Sequence, residues 1–514
     1  VSVIYLAEEV VEKVINLCAR RGVIFPTAEI YGTFAGFFDY GPVGVEIKIR
    51  ILDNWWNYFV HCREDVVGID GAIITSPKVW EASGHLKEFN DPLVECSKCK
   101  TKYRADHLIA QELGIEVDGI GIQQLTELIK KHKIVCPKDN GELLEAKPFN
   151  LMFKTFVGAE GGTDAFLRPE TAQLIFADFK QTMMASRKQL PFGIAQIGKS
   201  FRNEIAPRNF VFRAREFEQM EIEFFVHPKK LNECAMPKNL LSLEMQILSS
   251  EMQEKKQEAK KMGIGTALEK KIIGTKWHAL WLAECVQWFL SIGLKHENLR
   301  LRQHTKTELS HYSKETWDIE FLFGEWSWKE LAGIANRGDY DLSQHEKHSK
   351  TDLHVFDAES GEKVLPHVIE PSFGLDRTVF ALLVDAFNEK IEKGETKTIL
   401  SLDATVAPLD AGVFPLMKKD GLDKKAREVY DALKKKFLVQ YDESGSIGKR
   451  YARMDEIGVP WCITIDYDSL KKSDCTLRER DSAKQVRVKL KELPLVLQKL
   501  FSKEIPFSKA GKAV

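Results

Sequence analysis

At 514 residues, 44% hydrophobic and 29% charged with a formal net charge of −1, the chain exceeds the size at which one core stops growing, and two or more domains are expected. The near-neutral charge excludes a protein that coats nucleic acid by global electrostatics, and no run of about eighteen apolar residues exists to cross a membrane. The cysteines number nine, an odd count; Cys18, Cys62, Cys234, Cys285, Cys462 and Cys475 stand singly, as reduced thiols do, which makes the cytoplasm the expected address.

Residues 3–17 are apolar but interrupted by Glu8, Glu9, Glu12 and Lys13, so they read as an amphipathic helix rather than a signal peptide. Val45, Ile49, Leu52, Trp56 and Phe59 make one helical stripe, with Trp55 and Trp56 looking exposed, and residues 65–77 read as a strand ending at Pro77. Residues 96–148 carry cysteine pairs and a Gly-rich polar interruption and read as an insertion. Residues 196–226 turn to period 2 around Ala206, Pro207, Arg208 and Asn209, the pattern of a long antiparallel hairpin. Residues 229–300 read as a second, helical insertion, charged around 251–261 and then rich in tryptophan (Trp277, Trp281, Trp288). Strands are expected again at 316–335 and 363–370, and a helix at 372–387. A polar stretch, 389–397, precedes a final unit whose apolar strands (404–407, 437–441, 461–465) alternate with helices, the order of a small α/β domain. From Ser401 onward 23 Lys+Arg face 17 Asp+Glu, which suits either a local nucleic-acid face or a solvated lysine-rich surface.

The hairpin concentrates the chemistry. Arg202 and Glu204 share a face of the incoming strand; after Arg213, residues Arg215, Phe217, Gln219 and Glu221 share a face of the returning one. Arginines, carboxylates and an aromatic ring on one surface suit a triphosphate, an ammonium and a purine. A solvent-facing hairpin laced with cross-strand ion pairs has the same spacing. In Glu370-Pro-Ser-Phe-Gly-Leu-Asp-Arg377, Gly374 opens a helix and Arg377 falls in its first turn, where the helix dipole disfavours a cation. Either a nucleotide phosphate or local neutralisation by Asp376 and Glu370 would answer that charge.

These elements resemble the three signature motifs of class II aminoacyl-tRNA synthetases: the helix and strand before Pro77 resemble motif 1, the dimer-forming element; Phe-Arg-Asn-Glu204 with Arg213 and Phe217 resembles motif 2; Gly374-Leu-Asp-Arg377 resembles motif 3. The strings Gly36-Phe-Phe-Asp-Tyr-Gly-Pro-Val-Gly44, Leu167-Arg-Pro-Glu-Thr-Ala-Gln173, Val368-Ile-Glu-Pro-Ser-Phe-Gly374 and Gly445-Ser-Ile-Gly-Lys-Arg-Tyr-Ala-Arg453 narrow the resemblance to homodimeric glycyl-tRNA synthetases. It implies an α+β catalytic domain on an antiparallel sheet flanked by helices (1–95, 149–228 and 301–395, interrupted by insertions 96–148 and 229–300) and a C-terminal α/β anticodon-binding domain (400–514). It implies ATP with Mg²⁺, glycine and tRNA(Gly) as ligands, a homodimer, and no membrane.

The same resemblance assigns ATP to Arg202, Asn203, Glu204, Phe212, Arg213, Phe217, Glu330, Leu331, Gly374 and Arg377, with Arg202 and Arg213 on the phosphates, Phe217 and Arg377 sandwiching the adenine, and Glu330 holding Mg²⁺ on the strand before a turn at 333–337. Arg202, Arg213, Arg377 and Glu330 are its catalytic set. Glycine falls to Arg104, Glu170, Phe217, Gln219, Glu221, Glu370 and Ser372, with Arg337 near the carboxylate. Because no smaller proteinogenic amino acid exists, no editing site is expected.

Cys96-x-x-Cys99 followed by Cys136-Pro-Lys-Asp139 has the spacing of a structural zinc site in which Asp139 replaces a fourth cysteine, or of a degenerate knuckle packed without metal. Arg450, Arg453, Arg478 and Arg480 are candidates for reading anticodon bases, a structural role fitting each equally. Two rival readings remain: a sister synthetase for proline, threonine or histidine, and a non-catalytic synthetase-like accessory subunit that binds nucleic acid.

Overall fold

A computed structural model describes the chain except Val1, Glu116, Asp118, Gly119, Glu160, His311 and Lys393; part of the Gly-rich interruption at 114–121 therefore lies outside the described residues. After helices α1 (Ser2–Arg21) and α2 (Pro42–Trp56) come strands β1 (Val66–Ile69), β2 (Phe192–Phe201), β3 (Glu216–Val226), β4 (Glu244–Leu248) and β5 (Lys260–Gly263) and helix α3 (Lys276–Ser291). Strands β6 (Leu299–Gln303), β7 (Glu315–Leu322) and β8 (Trp328–Gly338), helix α4 (Tyr340–Ser349), strand β9 (His367–Gly374) and helix α5 (Leu375–Ala386) complete the first domain. The nine strands form one sheet in the order β5-β4-β6-β7-β8-β9-β3-β2-β1, antiparallel except at β4–β6 and β2–β1. This is an α+β architecture, a mostly antiparallel sheet with helices packed on it.

Alternation on β3 decides which side is which. Met220, Ile222 and Phe224 enter the main apolar core on one face, while Phe217, Gln219 and Glu221 line a cavity on the other. Helix α3 fills the core face: its three tryptophans are buried there with Phe59, Phe224 and Phe373. At one end of the cavity face, a second cluster around Phe176, Phe179 and Phe225 closes off solvent.

Several expectations are corrected. The fully buried stripe of α2 is Gly44, Ile47, Ile51 and Trp55; of the expected stripe Phe59 is buried, Leu52 and Trp56 pack partly buried against the core, and Ile49 is 44% exposed. Gly44 sets the rotation: a Cβ there would lie 1.9 Å from the Val23 carbonyl oxygen, so the helix must turn this position against the preceding chain. Trp55 is consequently buried and offers no exposed stripe. Residues 65–77 form two short strands in different sheets, and Pro77 opens a helix, Pro77–Ala82, instead of closing a strand. Residues 229–300 are not a purely helical insertion, since β4 and β5 extend the main sheet. The expected turn at 333–337 is the interior of continuous β8. Of the polar stretch 389–397, residues 389–392 and 395–397 belong to the paired strands Phe387–Glu392 and Glu395–Leu400, and Lys393 lies outside the described residues.

Residues 96–148 hold their own small core around Val94, Leu108, Ile109 and Leu125. The last domain comprises β10 (Ala411–Pro415), β11 (Val439–Tyr441), β12 (Trp461–Ile465), β13 (Asp474–Glu479), β14 (Gln485–Lys489) and β15 (Lys512–Ala513), in the order β11-β10-β12-β13-β14-β15. Parallel pairing of β10 with both β11 and β12 accompanies intervening helices Leu422–Leu433 and Ile447–Glu456, as crossovers require. Among the described residues no helix is long and apolar enough to cross a membrane.

Candidate active site

A cavity of about 500 Å³ opens over β3, β8 and β9, within the size range of small-ligand sites. One end is cationic and aromatic. Arg202 donates to the Pro169 carbonyl at 3.1 Å, and its guanidinium lies 5.2 Å from the Phe217 ring centre. Arg213, beyond the hairpin tip, is fixed by Glu204 at 2.6 Å and Asp91 at 3.2 Å. Arg377, in the first turn of α5, donates to Glu330 at 2.8 Å and sits 5.5 Å from the Phe212 ring centre. Its counter-charge is therefore Glu330, across on β8, and not Asp376, which accepts from Tyr40 and the Glu218 N–H.

The other end is anionic. Glu221 on β3 and Glu370 on β9 both line it, with Glu170 and Ser372. Glu221 is bonded by the Thr171 backbone N–H at 3.1 Å and by the Thr171 hydroxyl. Burial, and then the charge of Glu170, raise the Glu221 carboxyl above its ordinary range. Glu170 goes the other way: although burial pushes it up, His85, Arg337 and the Gln173 amide, which donates at 2.9 Å, together hold it well below the usual carboxylate range. Gln219 reaches the Ser372 hydroxyl at 3.4 Å. A recess walled by acceptors at this density of negative charge binds a small cation that carries several N–H donors.

Four expected site residues lie elsewhere. Arg337 is 1% exposed; it grips Asp341 through two nitrogens at 2.7 and 2.8 Å and Glu370 through a third at 2.7 Å, leaving the guanidinium no open edge for a ligand carboxylate. Leu331 points into the core, on the face of β8 opposite Glu330. Asn203 does not line the cavity, and its backbone N–H is held by Leu151. Arg104 also stands outside, bound to Asp106 and, at 2.8 Å, to Asp91, the carboxylate that also contacts Arg213.

The cavity also contains His304 and Asp318, which the sequence reading passed over. His304 bonds both Asp318 oxygens at 2.9 and 2.8 Å. Asp318 and Glu330 both approach Gly333, 3.9 and 3.5 Å from where its Cβ would be. Burial, then the Glu330 charge, push Asp318 up to about 6. The available signal was an aspartate and a glutamate, Asp318 and Glu320, alternating with the apolar Trp317, Ile319 and Phe321 of one strand.

A profile of the tRNA synthetase class II core domain (G, H, P, S and T) matches residues 153–386, and one of the anticodon binding domain matches 404–500. The glycine–tRNA ligase of Geobacillus thermodenitrificans is 46% identical over 497 residues, covering 95% of this chain and 97% of its own length. That of Caldanaerobacter subterraneus is 46% identical over 495 residues with the same coverage. That of Acetivibrio thermocellus is 44% identical over 495 residues. The chain belongs to the glycine–tRNA ligase family.

Both domains of a glycine–tRNA ligase are thus present over nearly the full length of these relatives. The core profile alone is shared with the H, P, S and T enzymes; the end-to-end similarity to glycine–tRNA ligases is what distinguishes this chain from those sister enzymes. Arg337 carries a prediction for the fold of the pocket. Replacing it by methionine strands Glu370 and Asp341 without a cation in the interior, so Arg337→Met loses about 3–5 kcal/mol of stability, read by urea denaturation.

Proposed function

We propose that the cavity condenses ATP with glycine to glycyl-adenylate and passes the glycyl group to the 3′ end of tRNA(Gly). The observation that carries this is one cavity with arginines and aromatic rings at one end and buried carboxylates at the other, the polarity of a nucleotide lying beside an ammonium. Arg202 and Arg213 grip the phosphates, Phe217 and Arg377 flank the adenine, and Glu204 faces its edge. Glu221, Glu370 and Ser372 receive the ammonium, with Glu170 and Gln219 supporting them. Arg337 acts one layer back, by fixing Glu370.

The glycine carboxylate attacks the α-phosphorus in line, forming the acyl–phosphate bond as the bond to pyrophosphate breaks. Positioned arginines stabilise the charge that develops, and no protein nucleophile is needed. Glu330 and Asp318 offer the hard oxygen donors Mg²⁺ takes, and the ion, when bound, neutralises phosphate charge. Arg202→Ala should lower glycine-dependent pyrophosphate exchange by two to three orders of magnitude, about the effect of removing one transition-state donor, with thermal melting unchanged; near-normal exchange would remove the assignment.

In the insertion, the ligand atoms of Cys96, Cys99, Cys136 and Asp139 all lie within 4.8 Å of one another. The Cys99 and Cys136 sulfurs are 3.7 Å apart and Cys96 lies 3.3 Å from Asp139. Tetrahedral ligands at a Zn–S distance of about 2.3 Å stand about 3.7 Å apart, so these residues fit a structural zinc ion. Metal analysis should find about one zinc per chain, lost in Cys99→Ser; zinc-free protein with an intact fold would end this assignment.

The C-terminal domain contacts the anticodon arm. Arg450 donates to the carbonyls of Leu416 and Gly445, Arg478 pairs with Asp455, and Arg480 donates to the carbonyls of Gly458 and Leu402. All three are buried, so they serve the fold and are dropped as base readers. Arg453, bound to Asp442 and the Ser444 carbonyl with a third of its side chain exposed, stays a candidate. Homodimerisation is supported by the outer edge of β1, which among the described residues pairs with β2 alone, and by exposed Ile74 and Met184. A cytoplasmic address is supported by nine unpaired cysteines.

A further inference from the structure

Glu223 is a buried carboxyl group that the chemistry above leaves unused. It stands two residues beyond Glu221 on the same face of β3, with Ile194 opposite on β2. The pairing of β3 with β9 runs from Glu221 opposite Ser372 to Phe224 opposite Ile369, which sets Glu223 beside Glu370. Its side chain is fully buried, and neither carboxyl oxygen has a hydrogen-bond partner. Yet Glu221, Glu223 and Glu370 bring oxygens within 4.8 Å of one another.

A carboxylate placed there would be stripped of water, unpaired and adjacent to like charge, three conditions that each oppose ionisation. The groups facing it are Glu221 on its own strand, Glu370 on β9, Arg337 on β8 and Asp341 on α4. Arg337 is the one cation of these, and its bonds go to Glu370 and Asp341. Burial first, then Glu370, drive the Glu223 carboxyl well above its ordinary range, with Glu221 and Asp341 adding and Arg337 opposing. Burial raises the Glu370 carboxyl as well, but Glu370 accepts from Arg337 at 2.7 Å whereas Glu223 has no donor, so of the two Glu223 is the better place for the shared proton.

We infer that Glu223 is a positioning residue, a neutral carboxylic acid that donates its O–H to Glu370 and keeps that carboxylate ionised and aimed at the substrate ammonium. This rests on the glycine-site reading of the cavity. Its consequence is charge matching: with Glu223 neutral and Arg337 offsetting Asp341, the recess presents Glu170, Glu221 and Glu370, rather than four anions, to one ammonium. The apolar cluster of Ile194, Phe176 and Phe225 behind it keeps water from solvating an ionised form.

Infrared difference spectroscopy of the full chain against Glu223→Gln, at neutral pH without substrates, should show a protonated carboxyl C=O band that the variant lacks. In pyrophosphate exchange Glu223→Gln, which keeps a neutral donor, should hold the glycine KM within about twofold. Glu223→Leu should raise it about tenfold or more with the ATP KM unchanged, the effect of losing a hydrogen bond to a charged group. Absence of the band overturns the protonated state. Equal impairment of both variants, or none in Glu223→Leu, overturns the positioning role. Failure of the glycine-site reading would show separately, as wild-type protein without glycine-dependent exchange, and would leave the infrared result standing.

Discussion

The two-pronged bond from Arg337 to Asp341, with Glu370 on the remaining nitrogen, ties β8, α4 and β9 together beneath the cavity floor. An arginine this deep is tolerated because three charge-assisted hydrogen bonds and the Tyr312 ring, 3.9 Å from the guanidinium, replace its hydration. The network continues sideways: Asp341 accepts from Gln173 at 3.0 Å, and Gln173 donates to Glu170. The carboxylates at the anionic end of the cavity are thus held by buried partners instead of by solvent, and their spacing is set by the fold.

The nucleotide end follows a different logic. Arg213 and Arg377 are each paired with a carboxylate, Glu204 and Glu330, at the cavity wall. A ligand that exchanged or shared these contacts would not have to order free side chains, which lowers the conformational cost of association. Because Arg377 sits at the start of α5, where the helix dipole opposes its charge, Glu330 across on β8 serves as its counter-ion. The two ends of one cavity are therefore pre-arranged by different means, a buried network at the anionic end and, at the cationic end, ion pairs whose arginines stay partly exposed.

Much of this was legible from residues 196–226, because a hairpin with Phe217, Gln219 and Glu221 on one face and Met220 and Ile222 on the other declares its two sides through alternation alone. The helix opening at Gly374 was equally plain. The rotation of α2 was not, since adjacent stripes of that helix are both apolar and the deciding contact, Gly44 against Val23, is tertiary. Strands β4 and β5 were hidden by their length and charge; Lys260–Gly263 has no strand signature outside the sheet that it joins. Arg337 looked like a ligand residue, although Asp341, four residues on at the start of α4, is its internal partner. Buried Arg450, Arg478 and Arg480 teach the same lesson: a basic residue in a tRNA-binding domain is read correctly only when its carboxylate and carbonyl neighbours are known.

The central claim is that one preformed cavity joins a nucleotide to the smallest amino acid. It is tested most directly by measuring amino-acid-dependent ATP–pyrophosphate exchange with the unaltered protein across the full set of proteinogenic amino acids. Exchange that requires glycine and is absent with alanine, serine, proline, threonine and histidine is the predicted result; exchange driven by another amino acid, or none with glycine, would contradict it.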